Sequence, residues 1–313
     1  MRLPLCLAVL VAAAPASAQT DARTRVPRFS TEVRVVNLSA SAMDAASHQY
    51  VTTLERGDFI VLENGRPQDI VYFSRDDLPV LVMLLMDVST SVESRLPSIM
   101  KAARMLVDGL RPQDMAAVVM FHSEMFVVQD FTDDRDALNR AVGEVPDGDH
   151  TALYRSVYVA LRDMNQVAFP DGRRCRKALV LLTDGIDTAS GSFTDDITLN
   201  EARTGEVTVF TVLMPPMVLP EAERPQTVEE LRAQSFLIRL AEDTGGRSFR
   251  PLRIGQLDEV YRNIAHEVAV QYTIGYTPDA PGDGKFRTIS VQTPGRPSTL
   301  VRHRRGYLAV RTR

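Results

Sequence analysis

Cysteine is nearly absent from this chain: among 313 residues only Cys6 and Cys175 carry a thiol. Cys6 sits inside a short apolar run, Leu3 to Ala13, with Arg2 before it and Ala16-Ser17-Ala18 after it. A cation, a short apolar stretch and an A-x-A site mark a secretory leader, here residues 1–18, cut before Gln19. A retained N-terminal anchor is the alternative. Cleavage leaves Cys175 as the single thiol, which excludes an internal disulfide. Cys175 lies in Arg173-Arg174-Cys175-Arg176-Lys177, where cations would lower its pKa and make it reactive. No His or Asn partner is near it in sequence, so a spare thiol at the start of a strand is the plainer reading.

Long hydrophobic runs are also missing. The leader's run falls short of the roughly 20 apolar residues a membrane-spanning helix needs, and no later segment is longer. After leader removal the expectation is a chain without a transmembrane segment, secreted or periplasmic. Neither sign of charge dominates: 36 Lys and Arg against 40 Asp and Glu give −4 and a pI near 5.8. That mixture argues against nucleic acid as a partner.

Catalytic signatures are missing as well. There is no Gly-x-Ser-x-Gly, no His-Glu-x-x-His and no phosphate-cradling glycine loop. His48, His122, His150, His266 and His303 are dispersed without zinc-ligand spacing; His150, beside Thr151, is the one to follow. Ser98-Ile99-Met100-Lys101 has the Ser-x-x-Lys spacing of penicillin-binding enzymes, but it lies on a helical stripe and lacks a Lys-Thr-Gly element. An aspartyl-nucleophile phosphatase would carry a second Asp two residues after Asp87, where Ser89 stands. The reading is therefore not an enzyme.

What is present falls into three regions. Residues 19–78 are strand-like, with Val33, Val35 and Leu38, then Phe59-Ile60-Val61-Leu62 and Ile70-Val71-Tyr72-Phe73. Asn64-Gly65 between the last two runs is a hairpin signal, since both residues tolerate positive φ. Residues 79–268 change character. Val80 to Met86 is a continuous apolar run, as suits a strand buried on both faces. Ala116–Phe121, Ala178–Leu182 and Val207–Leu213 repeat it. Helical stripes lie between: Leu96 to Leu110, Arg135–Val142, Leu153–Met164 and Glu229–Glu242. Strands alternating with helices predict an α/β domain with a doubly wound, mostly parallel, Rossmann-like sheet. Residues 269–313 return to β, with Val270–Tyr276, Phe286–Gln292 and Leu300–His303. The two β segments are expected to pack together as a small β-sandwich around the α/β insert, because chain ends tend to lie close.

At the end of the first buried strand stand Asp87, Ser89 and Ser91. Asp184 takes the matching place in Thr183-Asp184-Gly185, and Thr151 lies between them in sequence. In an open α/β sheet, ligands bind at the carboxyl ends of the strands. Two carboxylates and three hydroxyls, without imidazole or thiolate, are hard donors that suit Mg²⁺. A helix cap is the alternative for the first loop, and a turn role is the plainer reading of Asp187.

Asp87-x-Ser89-x-Ser91, Thr151 and Asp184 resemble the metal-ion-dependent adhesion site of von Willebrand factor A and integrin I domains. The resemblance implies direct metal bonds from Ser89, Ser91 and, in an open state, Thr151, with Asp87 and Asp184 acting largely through water. It implies Mg²⁺, or Mn²⁺ or Ca²⁺, and a partner protein whose Glu or Asp carboxylate completes the shell. Phe59-x-Val61-x-Glu63-Asn64-Gly65, Tyr272-x-x-Gly275-Tyr276, Phe286-Arg287-x-Ile289 and Arg305-Gly306-Tyr307 extend the likeness, resembling secreted bacterial von Willebrand factor A-related proteins over nearly the whole mature chain. Two positions depart: Asp149-His150 precede Thr151 where relatives often have Gly, and Arg155 stands where they often have Asp. The function implied is a metal-dependent adhesion or protein-binding module. A structural envelope protein with a stabilising metal site is the alternative, and an Mg²⁺-dependent hydrolase comes third. The Pro-rich stretch Met214–Pro220 is a candidate partner-selecting loop or a plain surface excursion. The basic end, Arg302-His303-Arg304-Arg305 with Arg311 and Arg313, reads as a solvated strand edge guarded by charge, with anionic lipid as the alternative.

Overall fold

Strand alternation builds the first part of the chain. In the computed structural model, which describes residues 35–75, 78–214, 226–280 and 282–310, β1 (Val36–Asp44) buries Val36, Leu38, Ala40 and Ala42 on one face. The leader, Met214–Pro220 beyond its first residue, Arg311 and Arg313 lie outside the described residues. β2 (Ile60–Glu63) and β3 (Arg66–Gln68) form the hairpin at Asn64-Gly65. Both turn residues have positive φ, 48° and 78°, as a primed turn requires. The second arm is Arg66–Gln68, however, and not the apolar run after it. That run, β4 (Ile70–Arg75), crosses to another sheet, where Ile70 is buried and Phe73 packs against the sandwich core.

The α/β body follows. β5 (Val80–Asp87) is buried at every position. After it come α1 (Leu96–Gly109), β6 (Met115–Phe121), β7 (Met125–Thr132), α2 (Arg135–Ala141), α3 (Leu153–Gln166), β8 (Arg176–Thr183), α4 (Asp195–Thr204), β9 (Val207–Leu213), α5 (Val228–Thr244), β10 (Ser248–Phe249) and α6 (Leu257–Val270). The sheet order is β10-β9-β8-β5-β6-β7, parallel throughout except for the antiparallel edge strand β7. Because successive strand residues point to opposite faces, Val82, Leu84 and Met86 pack under α1 and α6, while Met83 and Leu85 pack under α3 and α5. The helices are bounded by local chemistry. Thr227 and Glu230 close a capping box at the start of α5, and Gly245 ends it in the left-handed region at φ 83°, the common C-terminal stop.

The tail supplies β11 (Tyr272–Tyr276), β12 (Phe286–Gln292), β13 (Thr299–His303) and β14 (Gly306–Leu308). Head and tail strands interleave in two antiparallel sheets, β13-β1-β11-β4 and β14-β12-β2-β3. Their shared core holds Leu38, Val61, Tyr272, Ile274, Tyr276 and Ile289. Arg75 pairs with Tyr272 across the β4–β11 ladder, so the chain enters and leaves the α/β body at one place.

The resemblance motifs outside the α/β body converge at one buried cluster. Glu63 Oε2 accepts from the hydroxyls of Tyr276 (2.6 Å) and Tyr307 (3.0 Å), and its Oε1 accepts from Arg287 at 3.2 Å. Burial, reinforced by Glu63, pushes the Tyr307 phenol up to about 12 and the Tyr276 phenol higher still.

The basic end lies on the edge strand β13, and its arginines are engaged by the α/β body. Arg304 is buried and donates to the carbonyls of Arg203 and Gly205 at the C-terminus of α4, where a cation opposes the negative pole of the helix. Arg302 pairs with the fully buried Glu267 of α6, which also accepts from Ser41 and Tyr50. Arg305 pairs with Glu242. Arg176 caps the other helix at this seam, donating to the carbonyls of Ala269 and Gln271. These arginines fasten the sandwich to the α/β body. Cys175, next to them, is half-buried, and burial pushes its thiol up, against the lowering that its cationic neighbours suggested.

Candidate metal centre

Three loops at the carboxyl edge of the parallel sheet carry the predicted residues. Asp87 ends β5 and is completely buried. The backbone N–H and the hydroxyl of Ser89 both donate to Asp87 Oδ1, at 3.0 and 2.6 Å, and the Thr183 hydroxyl donates to Oδ2 at 2.7 Å. The Ser91 hydroxyl donates to Asp184 Oδ2 at 2.6 Å, and the two serine oxygens lie 3.1 Å apart. Ser89 precedes a 3-10 turn, Thr90–Arg95, which intervenes before α1. Its hydroxyl makes no capping bond, so the helix-cap alternative does not account for it.

The short contacts outnumber the protons. Asp87, Ser89, Ser91 and Asp184 form a chain of three oxygen–oxygen contacts served by two hydroxyl hydrogens. With both carboxylates ionised and both hydroxyls donating to them, lone pairs of Ser89 and Ser91 face each other. Burial, together with the charge of Asp184, pushes the Asp87 carboxyl up to about 6, even though Ser89 and Thr183 oppose the shift. Converging hydroxyl lone pairs backed by two carboxylates are the donor set a hard divalent cation takes. Among the described residues no three His, Cys, Asp or Glu side chains are grouped so as to hold a metal ion. The residues present fit Mg²⁺.

Thr151 is brought to the same edge by backbone bonds. Its N–H donates to the Thr188 hydroxyl at 2.9 Å, and its carbonyl accepts from the N–H groups of Thr188 and Ala189. The Thr151 side chain is buried at the level of the residue, yet its hydroxyl hydrogen-bonds to none of the described residues. Thr90 donates to the Asp149 carbonyl at 3.0 Å, joining the first loop to the second. The departures before Thr151 fit this geometry: Asp149 and His150 are both exposed, so their bulk stays out of the loop's packing. Arg155, the other departure, donates to the Ser123 carbonyl. Asp187 accepts from the Tyr154 N–H and from Ser190, which is the turn role.

Two residues escaped the sequence reading. Thr183 was quoted as a motif letter, and it orients Asp87. His122 follows β6, is 7% exposed, and accepts the Ser123 N–H on Nδ1 at 2.7 Å. Its ring is the platform for the second loop: a Cβ at Gly148 would lie 2.1 Å from the imidazole. Its carbonyl also accepts the Ala152 N–H. Only the tertiary fold brings His122 beneath Gly148, and the sequence carries no signal for it.

This architecture, with oxygen donors gathered at the strand ends, is that of a von Willebrand factor A-type fold. Residues 82–186 match the family model described as von Willebrand factor type A domain, a span that contains Asp87, Ser89, Ser91, Thr151 and Asp184. A UPF0353 protein of Mycobacterium sp. (strain KMS) is 24% identical over 208 residues, covering 61% of this chain and 61% of that protein. One from Mycolicibacterium gilvum is 23% identical with the same coverage. The match thus spans about three fifths of the length of these relatives. Among solved structures, a von Willebrand factor type A protein from Catenulispora acidiphila aligns with 13% identity and a TM-score of 0.47, over 90% of this chain and 75% of its own. An aerotolerance-related membrane protein from Bacteroides fragilis aligns with 17% identity and a TM-score of 0.46, over 60% and 98%. Among the described residues no helix is long and apolar enough to cross a membrane.

Proposed function

We propose that this protein is a metal-dependent protein-binding module, exported through the leader at residues 1–18, that grips a partner through a Glu or Asp carboxylate. The observation that carries the reading is the convergence of the Ser89 and Ser91 hydroxyls between Asp87 and Asp184. Ser89, Ser91 and Thr151 would hold Mg²⁺ directly, and Asp87 and Asp184 would supply the balancing negative charge. When bound, the ion supplies a strong electrostatic anchor for the partner's carboxylate. The chain's own residues do the rest. Thr183 and the Ser89 N–H hold Asp87 in one orientation, the Thr90–Asp149 bond couples two of the loops, and exposed Asp149 and His150 select what approaches.

Binding, and not catalysis, is the reading because the oxygen donors have no proton-relay partner beside them. Among the described residues no imidazole, thiol or amine hydrogen-bonds to Asp87, Ser89, Ser91 or Asp184. Calorimetry with Mg²⁺ and with Mn²⁺, on wild type and Asp87→Ala, tests the site. Saturable binding lost in the variant is the expected result. Indistinguishable titrations of the two proteins would overturn it. Addition of EDTA to a pull-down of the Arg247→Glu variant on immobilised acidic peptides then tests the partner chemistry, with release expected.

A further inference from the structure

A second site lies at the seam between the sandwich and the α/β body, built from none of the three metal-centre loops. One wall is the outward face of β1 and β13, and the other is the end of α5 with β10. Between them is an open cleft of about 640 Å³, within the size range of ligand sites. Both β13 and β10 are terminal strands of their sheets.

The lining has an uneven chemistry. Ile238 and Leu300 are 44% and 59% exposed, an apolar pair on a surface otherwise rich in charge. Three guanidinium groups surround them. Arg302 is matched by Glu267 and Arg305 by Glu242. Arg247 has no carboxylate or hydrogen-bond partner for its guanidinium among the described residues. It lies over the Phe249 ring, 4.7 Å from the centroid, a cation–π contact that consumes none of its N–H donors. A planar guanidinium held in this way is suited to bidentate carboxylate recognition. An uncommitted positive fork beside two exposed aliphatic side chains is complementary to a carboxylate flanked by aliphatic groups.

We propose that this cleft is a metal-independent site for an extended acidic peptide in which a Glu or Asp neighbours an aliphatic side chain. Arg247 receives the carboxylate, and Ile238 and Leu300 receive the aliphatic neighbour. The site is separate from the metal centre in residues and in chemistry, so the two are distinguishable by chelation.

The test is fluorescence anisotropy on the full chain, with a labelled hexapeptide of alternating Val and Glu as probe and a Val/Lys hexapeptide as control. With EDTA present throughout, so that the metal centre is silent, saturable binding of the acidic probe is expected, and it is retained in Asp87→Ala. Affinity should fall about tenfold or more in Arg247→Glu, the scale of losing a charge-assisted hydrogen bond, and should fall in Ile238→Lys as well. Both side chains are exposed, and matching thermal melts verify that the variants fold. Equal binding of the Val/Lys peptide, no binding in EDTA, or no effect of Arg247→Glu would overturn the proposal. Octanoate carries the same chemistry without a backbone. If it bound more tightly than the peptide, a peptide occupant would be overturned in favour of a small amphiphilic acid.

Discussion

Glu63 and Asp87 are both carboxylates buried at the last position of a strand, yet their surroundings differ in kind. Glu63 faces one guanidinium and two phenol hydroxyls, so its charge is balanced and its oxygens are served. Asp87 shares its loops with a second carboxylate, Asp184, and with hydroxyls that have too few protons for their contacts. The first arrangement is complete within the chain. The second leaves two like charges without an internal counter-cation, which is the basis for the metal site proposed above. Burial of charge is costly in either place, and the difference lies in whether the compensation is internal.

The comparison can be broken most strongly at Glu63. Glu63→Ala leaves Arg287 buried without its inner partner, and chemical denaturation should show a loss of about 3–5 kcal/mol. Asp87→Asn removes one of two neighbouring like charges, and in metal-free buffer it should cost far less or stabilise the fold. A larger loss at Asp87 than at Glu63 would reverse the distinction. Next in size is the response to metal. At about a hundredfold excess over Kd, Mg²⁺ should stabilise the wild type by about 2.7 kcal/mol, and Asp184→Asn should abolish most of the rise in melting temperature. Tyr307→Phe is a smaller probe of the closed cluster. Glu63 keeps Tyr276 and Arg287, and the cost should be about 1 kcal/mol.

The smallest effect should come from His303, which links the two sheets of the sandwich. Its Nε2 accepts the Val291 N–H and its Nδ1 donates to the Arg304 carbonyl, so protonation would break the first bond. Burial holds this imidazole below its ordinary range. A His whose folded value is lowered binds its proton more readily when unfolded. Stability should therefore decline as pH falls through the unfolded value of about 6.5. Melting curves across that interval should flatten in His303→Gln.

The parts of the fold visible in sequence were those whose burial is uniform. β5, β6, β8 and β9 are continuous apolar runs because both faces are covered. β7 was missed since an edge strand is half-exposed at most positions, and its mixed pattern resembles a loop. α4 was missed because it buries Thr198, Leu199 and Ala202 alone, too small an apolar stripe to stand out. β4 was attached to the wrong partner, since an apolar run near a turn does not state which sheet it joins. Val270 was given to a strand but closes α6. At the candidate site, Asp87, Ser89, Ser91 and Asp184 were legible because they stand at or just past the ends of two buried strands, while Thr151 lies in the loop before α3. His122 beneath Gly148 and the arginines at the seam were not, as their roles depend on helix ends that approach only in three dimensions.

The single point of entry and exit at Arg75 and Tyr272 sets the path of mechanical load. Tension applied between β1 and β13 falls on a ladder that pairs those two strands directly, so the hydrogen bonds of the sandwich carry it. The α/β body hangs from the adjacent β4–β11 ladder and lies outside that line. Under the proposed function, a pull on a partner at Asp87 and Asp184 would travel instead through β5 and β8 into the stem, where the seam arginines share it. Force applied across the β1–β13 ladder and force applied at the strand-end loops thus strain different parts of the same molecule.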